Sequence, residues 1–223
     1  MINLFSTLAV QAAVSAEILP AFEAQHGAVV EATYDPTTVL MRRIDDGARP
    51  DVVIATVESL GSSPHVVAGS VTPIASTGVG VAVAPGAARP PIGTVDELVA
   101  ALLAARSVAY SRSGASGIYF AGLLEKLGIA EEVNARATVI EKGFTALAVV
   151  DGRADLAIQQ VSELRFVRDA DILGPLPDEV QHHTRFAAAI GTTSTSPLAG
   201  ELVRHLAAPA AASSYARAGL DPA

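Results

Sequence analysis

The stretch Leu4-Phe5-Ser6-Thr7-Leu8-Ala9-Val10 decides how this chain is read. A short apolar run, Ile2–Phe5, has the length and β-branched or aromatic character of a buried strand, and it meets two adjacent hydroxyl residues with no spacer. An amphipathic helix pattern follows from about Ala9 to Gln25, with Val10, Ala13, Val14, Ile18 and Phe22 on one face and Gly27 just past its end. A strand feeding directly into a helix is the first half of a βαβ unit. It puts Ser6 and Thr7 where hydroxyls and unpaired backbone N–H groups face whatever lies beyond the strand's carboxyl end.

The same alternation continues along the chain. Val29–Tyr34 reads as a strand, Asp35-Pro36-Thr37-Thr38 as a turn opening a helix through Ile44, and Asp51–Thr56 as a third strand. Gly78–Ala84 is a smooth apolar run suited to a strand crossing between two lobes, and Phe186–Ile190 suits a second crossing. Between them come a helix start at Thr94–Glu97, a strand at Ser107–Tyr110, a small-residue loop at Ser111–Gly117 and a helix Ile118–Leu127. Strands at Thr138–Glu141 and Asp155–Gln160 follow, separated by the loop Lys142–Thr145 and a short helix Ala146–Val150. Two helices near Pro197–Leu206 and Ala210–Ala218, broken at Pro209, close the chain. The pattern predicts an α/β protein with mostly parallel strands. Two crossings predict a two-lobe plan: residues 1–78 with 187–223 form one lobe, residues 79–186 the other, and a cleft lies between them.

Composition narrows the function. The chain has 223 residues, half of them hydrophobic, no Cys, no Trp and a net charge of −8. Without cysteine there is no disulfide, thiolate metal site or cysteine nucleophile. The negative charge and the low aromatic content disfavour nucleic acid as a partner. No apolar run approaches the ~20 residues that span a bilayer, so no membrane insertion is expected. With a strand starting at Ile2, this sequence shows no leader, and the expected setting is cytoplasmic, or periplasmic if a leader was removed. His182 and His183 are neighbours that a strand would point to opposite sides, poor geometry for one metal, and no metal or cofactor is expected.

Four strand-to-helix loops share one character: Ser6-Thr7, Thr37-Thr38, Ser113–Gly117 and Gly143–Thr145. Each offers hydroxyls, or small residues that let a ligand reach backbone N–H groups. Hydrogen bonds to a charged group contribute roughly 1.5–3 kcal/mol each, so about five to seven of them can hold an anion. Arg42 and Arg43 follow the second loop, Arg112 sits in the third and Lys142 precedes the fourth, placed to pair with carboxylates.

These residues, with Leu40–Ile44, Gly47–Ile54, Ala115–Tyr119 and Gly152–Ile158, resemble the molybdate-binding proteins of ABC transporters, a class II periplasmic binding protein family. The resemblance runs from Phe5-Ser6-Thr7 to Ala216–Leu220. It implies a ligand-binding set of Ser6, Thr7, Thr37, Thr38, Ser116, Gly117, Phe144 and Thr145, with Gln160 where the family usually has tyrosine. Arg42, Arg112 and Lys142 complete the expected site. It also implies hinge closure over the ligand, and an ABC permease as partner if the protein is exported. Gln160 and Thr37 alter the wall that would face molybdate, so a small organic carboxylate is an equal expectation. An alternative is a cofactor-independent isomerase of unsaturated di- or tricarboxylates, like the aconitate isomerase found among relatives of this fold. Glu141, Asp35 or His183 would then be its base. A third is a cytoplasmic ligand sensor read by a partner protein.

Overall fold

The strand at the amino terminus becomes an interior strand. In the computed structural model, which describes the whole chain from Met1 to Ala223, β1 (Ile2–Ser6) pairs in parallel with β2 (Val30–Tyr34) on one side and β3 (Val52–Thr56) on the other. The chain folds as two compact units, Met1–Thr77 with Thr184–Ala223, and Gly78–His183. β4 (Thr72–Val83) carries the chain out of the first unit. The second unit contains β5 (Val108–Tyr110), β6 (Thr138–Val139), β7 (Leu156–Gln160) and β8 (Asp171–Pro175). The chain returns through β9 (His183–Ile190) and ends at β10 (Asp221–Pro222).

The two units are built on one plan. In the first, the order β2-β1-β3 is all parallel, and β9 lies antiparallel on β3 with Val52 opposite Ile190 and Thr56 opposite Phe186. In the second, the order β6-β5-β7 is all parallel, and β4 lies antiparallel on β7 with Val79 opposite Gln160. Each unit thus contains three parallel strands in the order second-first-third, closed by one antiparallel strand. In such a sheet the chain leaves the first strand toward opposite sides, and a crevice opens at the carboxyl ends beside it.

Alternation along the strands sorts the core into layers. In the first unit Ile2, Leu4 and Ile54 pack with Phe22, Leu202 and Tyr215 on one face, while Phe5 and Val53 pack with Leu40, Ile44 and Leu60 on the other. In the second unit Val108, Tyr110 and Ile158 pack with Leu98, Phe120 and Leu124, and Ala109 and Ala157 pack with Ala146, Val149 and Leu164. Strands covered on both faces read as continuous apolar runs, which is why Val52–Ala55 of β3 and Leu156–Ile158 of β7 are legible.

Several elements differ from the sequence reading. The first helix is wound unevenly: a 3-10 turn at Leu8–Val10, an α-turn at Gln11–Ala13, a π-segment at Val14–Ile18 and an α-helix at Leu19–His26 that ends on left-handed Gly27. Pro20 supplies the reason, because it has no N–H to give the preceding turn and wider winding absorbs the missing bond. β4 starts at Thr72, six residues before the predicted crossing strand, with Pro73 near its start where a missing donor is tolerated. The helix predicted at Ile118–Leu127 starts earlier and runs Ala115–Lys126. Short helices at Val57–Gly61, Ala130–Asn134 and Val161–Phe166, and the strands β8 and β10, have no counterpart in that reading.

Within the second unit the Gln181 side chain completes a strand edge. Its Oε1 accepts from the Val79 N–H at 2.8 Å and its Nε2 donates to the carbonyls of Val79 and Leu176 at 3.0 and 3.3 Å. An amide side chain here replaces backbone pairing.

Candidate functional site

In the first unit the carboxyl ends of β1 and β2 meet. The Asp35 N–H donates to the Ser6 carbonyl at 3.2 Å, which ties the Ser6-Thr7 turn to the Asp35–Thr38 turn. Ser6, Thr7, Asp35 and Thr37 are all buried, whereas Thr38 is exposed. The question for Ser and Thr at such positions is whether they are merely helix caps. Here they are not. Thr7 stands at the N-cap without a side-chain capping bond, its neighbour Ser6 directs its hydroxyl to the Thr7 carbonyl at 3.2 Å, and the helix Thr37–Asp45 is capped by Pro36. Hydroxyls that do cap lie elsewhere, at Thr56 on the Ser59 N–H and at Thr94 in a capping box with Glu97.

A cation stands at the same strand ends. Arg43, from the helix Thr37–Asp45, brings Nη1 to 3.2 Å from Asp35 Oδ2 and lays its guanidinium carbon 4.6 Å from the centre of the Phe5 ring. Side chains on a helix lean toward its N-terminus, so Arg43 reaches back to the end at which Thr37 sits. Its side chain is 44% exposed, and only one of its five N–H donors is used on Asp35 in this contact. Arg42, the residue expected in the site, is exposed on the same helix.

In the second unit the equivalent strand ends carry the other expected residues. Ser111, after β5, accepts from the N–H groups of Ser113 and Gly114 at 3.2 Å each, and folds the turn that starts the helix Ala115–Lys126. Ser116 and Gly117 in its first turn are buried. A Cβ on Gly117 would lie 1.6 Å from the Ser111 carbonyl oxygen, so only glycine lets the helix start pass this close to the turn. The Ser113 hydroxyl donates to the Glu141 carbonyl at 3.1 Å and joins this turn to the end of β6. Arg112, Glu141 and Lys142 are exposed.

The Gly143–Thr145 loop is held from below by a residue the sequence reading did not single out. Gln159 Oε1 accepts from the Thr145 N–H at 2.8 Å and from its hydroxyl at 3.1 Å, and Gln159 Nε2 donates to the Gly143 carbonyl at 3.1 Å. The Thr145 donors are therefore engaged within the protein, and its part here is to fix the loop. Phe144 is half-buried, its ring stacked on Phe166 at 4.3 Å.

Gln160, which ends β7, has the opposite condition to Gln159. It is buried, and its Oε1 has no hydrogen-bond partner. Ser162 is 1% exposed, with its Oγ also unpartnered. Glu163 is buried beside them, its carboxyl taking the Gln160 backbone N–H, and burial pushes that carboxyl up to about 8. A buried polar group left unpaired costs about 1–3 kcal/mol, so such a cluster at a strand end is strained in polar terms. Ser162 and Glu163 were missed because Ser and Glu are residue types that are mostly exposed; the signal available was their place directly after β7.

Other expectations fall elsewhere. Of the three residues considered as a base, Asp35 is paired with Arg43, and Glu141 and His183 are exposed. His182 is exposed and stacks on Tyr119 at 4.6 Å. No three His, Asp or Glu side chains gather as a metal site, and no helix is long and apolar enough to cross a membrane. A cavity of about 660 Å³ in the second unit, lined by Arg89, Pro91, Leu176 and Asp178 among others, involves none of the strand-end donors.

Parallel strands whose carboxyl ends gather hydroxyl residues and helix starts occur twice in this chain, once in each unit. The chain belongs to the bacterial extracellular solute-binding protein family, whose model it matches over residues 2–221. It is similar to an aconitate isomerase from Pseudomonas sp., at 31% identity over 216 residues, 92% of this chain and 82% of that protein. In fold it is similar to the periplasmic molybdate-binding protein of Azotobacter vinelandii, with a TM-score of 0.80 at 17% identity over 99% of this chain and 98% of that one. It also resembles the sulfate-binding protein SubI from Mycobacterium tuberculosis H37Rv, with a TM-score of 0.71 at 20% identity over 99% and 86%. The two-lobe periplasmic-binding-protein class read from the sequence is thereby established.

Proposed function

We propose that this protein binds a small organic anion bearing more than one carboxylate. The donors are those at the strand ends: Ser6, Thr7 and Thr37 in the first unit, with Thr38 at its rim, and Ser116, Gly117 and the Phe144 backbone in the second. The observation that carries the reading is Arg43, held over Phe5 and against Asp35 beside hydroxyls that cap no helix. Hydroxyls and backbone N–H groups serve any oxyanion, but a guanidinium fork matches a carboxylate in particular. Membership of a solute-binding family supports a binding role. The solved relatives named for molybdate and sulfate lend support to an anion as cargo. A permease of the ABC type is the partner that such a role calls for when the protein is exported, and Arg112 and Lys142 lie exposed on the loops of the second unit.

Isothermal titration with molybdate, sulfate, succinate and propane-1,2,3-tricarboxylate tests this. We expect heat from the carboxylates, and weaker binding in Ser6→Ala and Ser116→Ala. Binding of molybdate or sulfate alone would refute the carboxylate assignment, and no heat from any of the four would refute anion binding.

Two observations favour a second reading. The relative named aconitate isomerase is 31% identical over most of the chain, and Glu163 is a carboxyl whose proton is poised near neutral pH, as proton transfer requires. Incubation with cis-aconitate, followed by NMR for the trans isomer, decides it; no turnover would leave binding as the function.

A further inference from the structure

The end of β7 carries two polar atoms that the protein itself does not satisfy. Gln160 Oε1 and Ser162 Oγ are both buried and both without a partner, at residues 2% and 1% exposed. The adjacent Gln159 shows what a satisfied amide looks like here, with three hydrogen bonds to the Gly143–Thr145 loop. β7 lies parallel to β5, so Gln160 ends at the same sheet edge from which the Ser111–Ser116 turn leaves. The unpaired pair therefore belongs to the donor-bearing edge of the second unit.

The chemistry of the two atoms differs from that of the other groups at this edge. A carboxylate or a deprotonated oxyanion brings only acceptors, and set against an amide oxygen it would meet lone pair with lone pair. A hydroxyl meets the demand from both sides: it donates to Gln160 Oε1 and accepts from the Ser162 hydroxyl. We infer that Gln160 and Ser162 form a subsite for a hydroxyl group on the ligand, so that the anion bound is a hydroxycarboxylate. The inference rests on the anion-binding function proposed above and narrows it. Glu163, next to the pair, is kept largely uncharged at neutral pH by burial, so it adds no negative charge where an anion must approach.

The test uses the full chain and matched pairs that differ by one hydroxyl: malate against succinate, and citrate against propane-1,2,3-tricarboxylate, each by isothermal titration. We expect the hydroxylated member to bind at least about tenfold tighter, because a site built to hydrogen-bond a hydroxyl discriminates against the analogue lacking it. Gln160→Met and Ser162→Ala should each shrink that preference while changing affinity for the deoxy member less than about twofold. Equal affinity within the pairs overturns the inference and leaves carboxylate binding standing, as would equal weakening of both members in the variants. Heat from neither member of either pair would mean that the carboxylate reading itself is wrong, and this inference with it. Should a variant fail to fold, the two wild-type pairs decide the matter alone.

Discussion

Glu163→Gln tests the polar cluster through stability, without a ligand. In the folded chain burial raises the Glu163 carboxyl from 4.5 to about 8. A carboxyl raised on folding is no burden while both states are protonated, below about pH 4.5. As pH rises past that value the unfolded chain ionises and the folded one does not, so stability falls until the folded carboxyl ionises near pH 8. Over the interval from about pH 5 to 8 the loss from this group is on the order of 3–4 kcal/mol, taking about 1.4 kcal/mol per pH unit. Glutamine keeps the shape and can still accept the Gln160 N–H, but it does not titrate. The assay is urea unfolding of both proteins at several pH values, followed by circular dichroism because the chain has no Trp. Near pH 5 the two should lie within about 1 kcal/mol, and by pH 8 the variant should be the more stable by several kcal/mol. A difference between them that stays flat across this range would refute the burial argument.

Arg43→Lys keeps the charge and loses the planar fork, so titration should show carboxylate affinity falling about tenfold. Its stability should move by less than about 1 kcal/mol, since the pair with Asp35 is 44% exposed on the arginine side. Gly117→Ala places a Cβ 1.6 Å from the Ser111 carbonyl oxygen, a clash that only backbone movement relieves; a loss above about 3 kcal/mol by thermal unfolding, or no soluble protein, is expected. Gln181→Met removes the amide contacts with Val79 and Leu176, and should cost on the order of 2–4 kcal/mol in urea unfolding, with the buried Val79 N–H left unpaired.

Strands buried on both faces were the most legible elements, because Val52–Ala55 of β3 and Leu156–Ile158 of β7 are unbroken apolar runs. Short helices were read only in part: Ala146–Val150 was legible, but Val57–Gly61 and Val161–Phe166 complete fewer than two turns and give no periodicity to detect. The same limit hid the π-segment, where Pro20 was visible but its effect on the preceding turn depends on three-dimensional winding. In the candidate site the hydroxyl loops could be read from Ser6, Thr37 and Ser116, because each lies where a strand gives way to the next helix. Choosing between Arg42 and Arg43 could not be done that way: neighbours on a helix point about 100° apart, and only packing against Phe5 and Asp35 selects Arg43. Glu163 was hidden for a related reason, as its burial comes from tertiary packing around a residue type that is usually exposed.

The division of the chain also sets an order of completion during synthesis. The second unit is one continuous segment, Gly78–His183, and every strand it needs has emerged once that segment leaves the ribosome. The first unit is split, and β9, which stands beside β3 in its sheet, is made only after the whole of the second unit. Until Thr184–Ile190 arrives, one edge of β3 has no partner, and Phe186 and Ala188 are missing from the apolar layer around Leu4 and Ile54. The closing helix adds Tyr215 later still, and Glu17 then meets Arg217 across almost the full length of the chain. Nascent chains stalled near residue 183 should therefore carry a protease-resistant second unit attached to a first unit that is still sensitive.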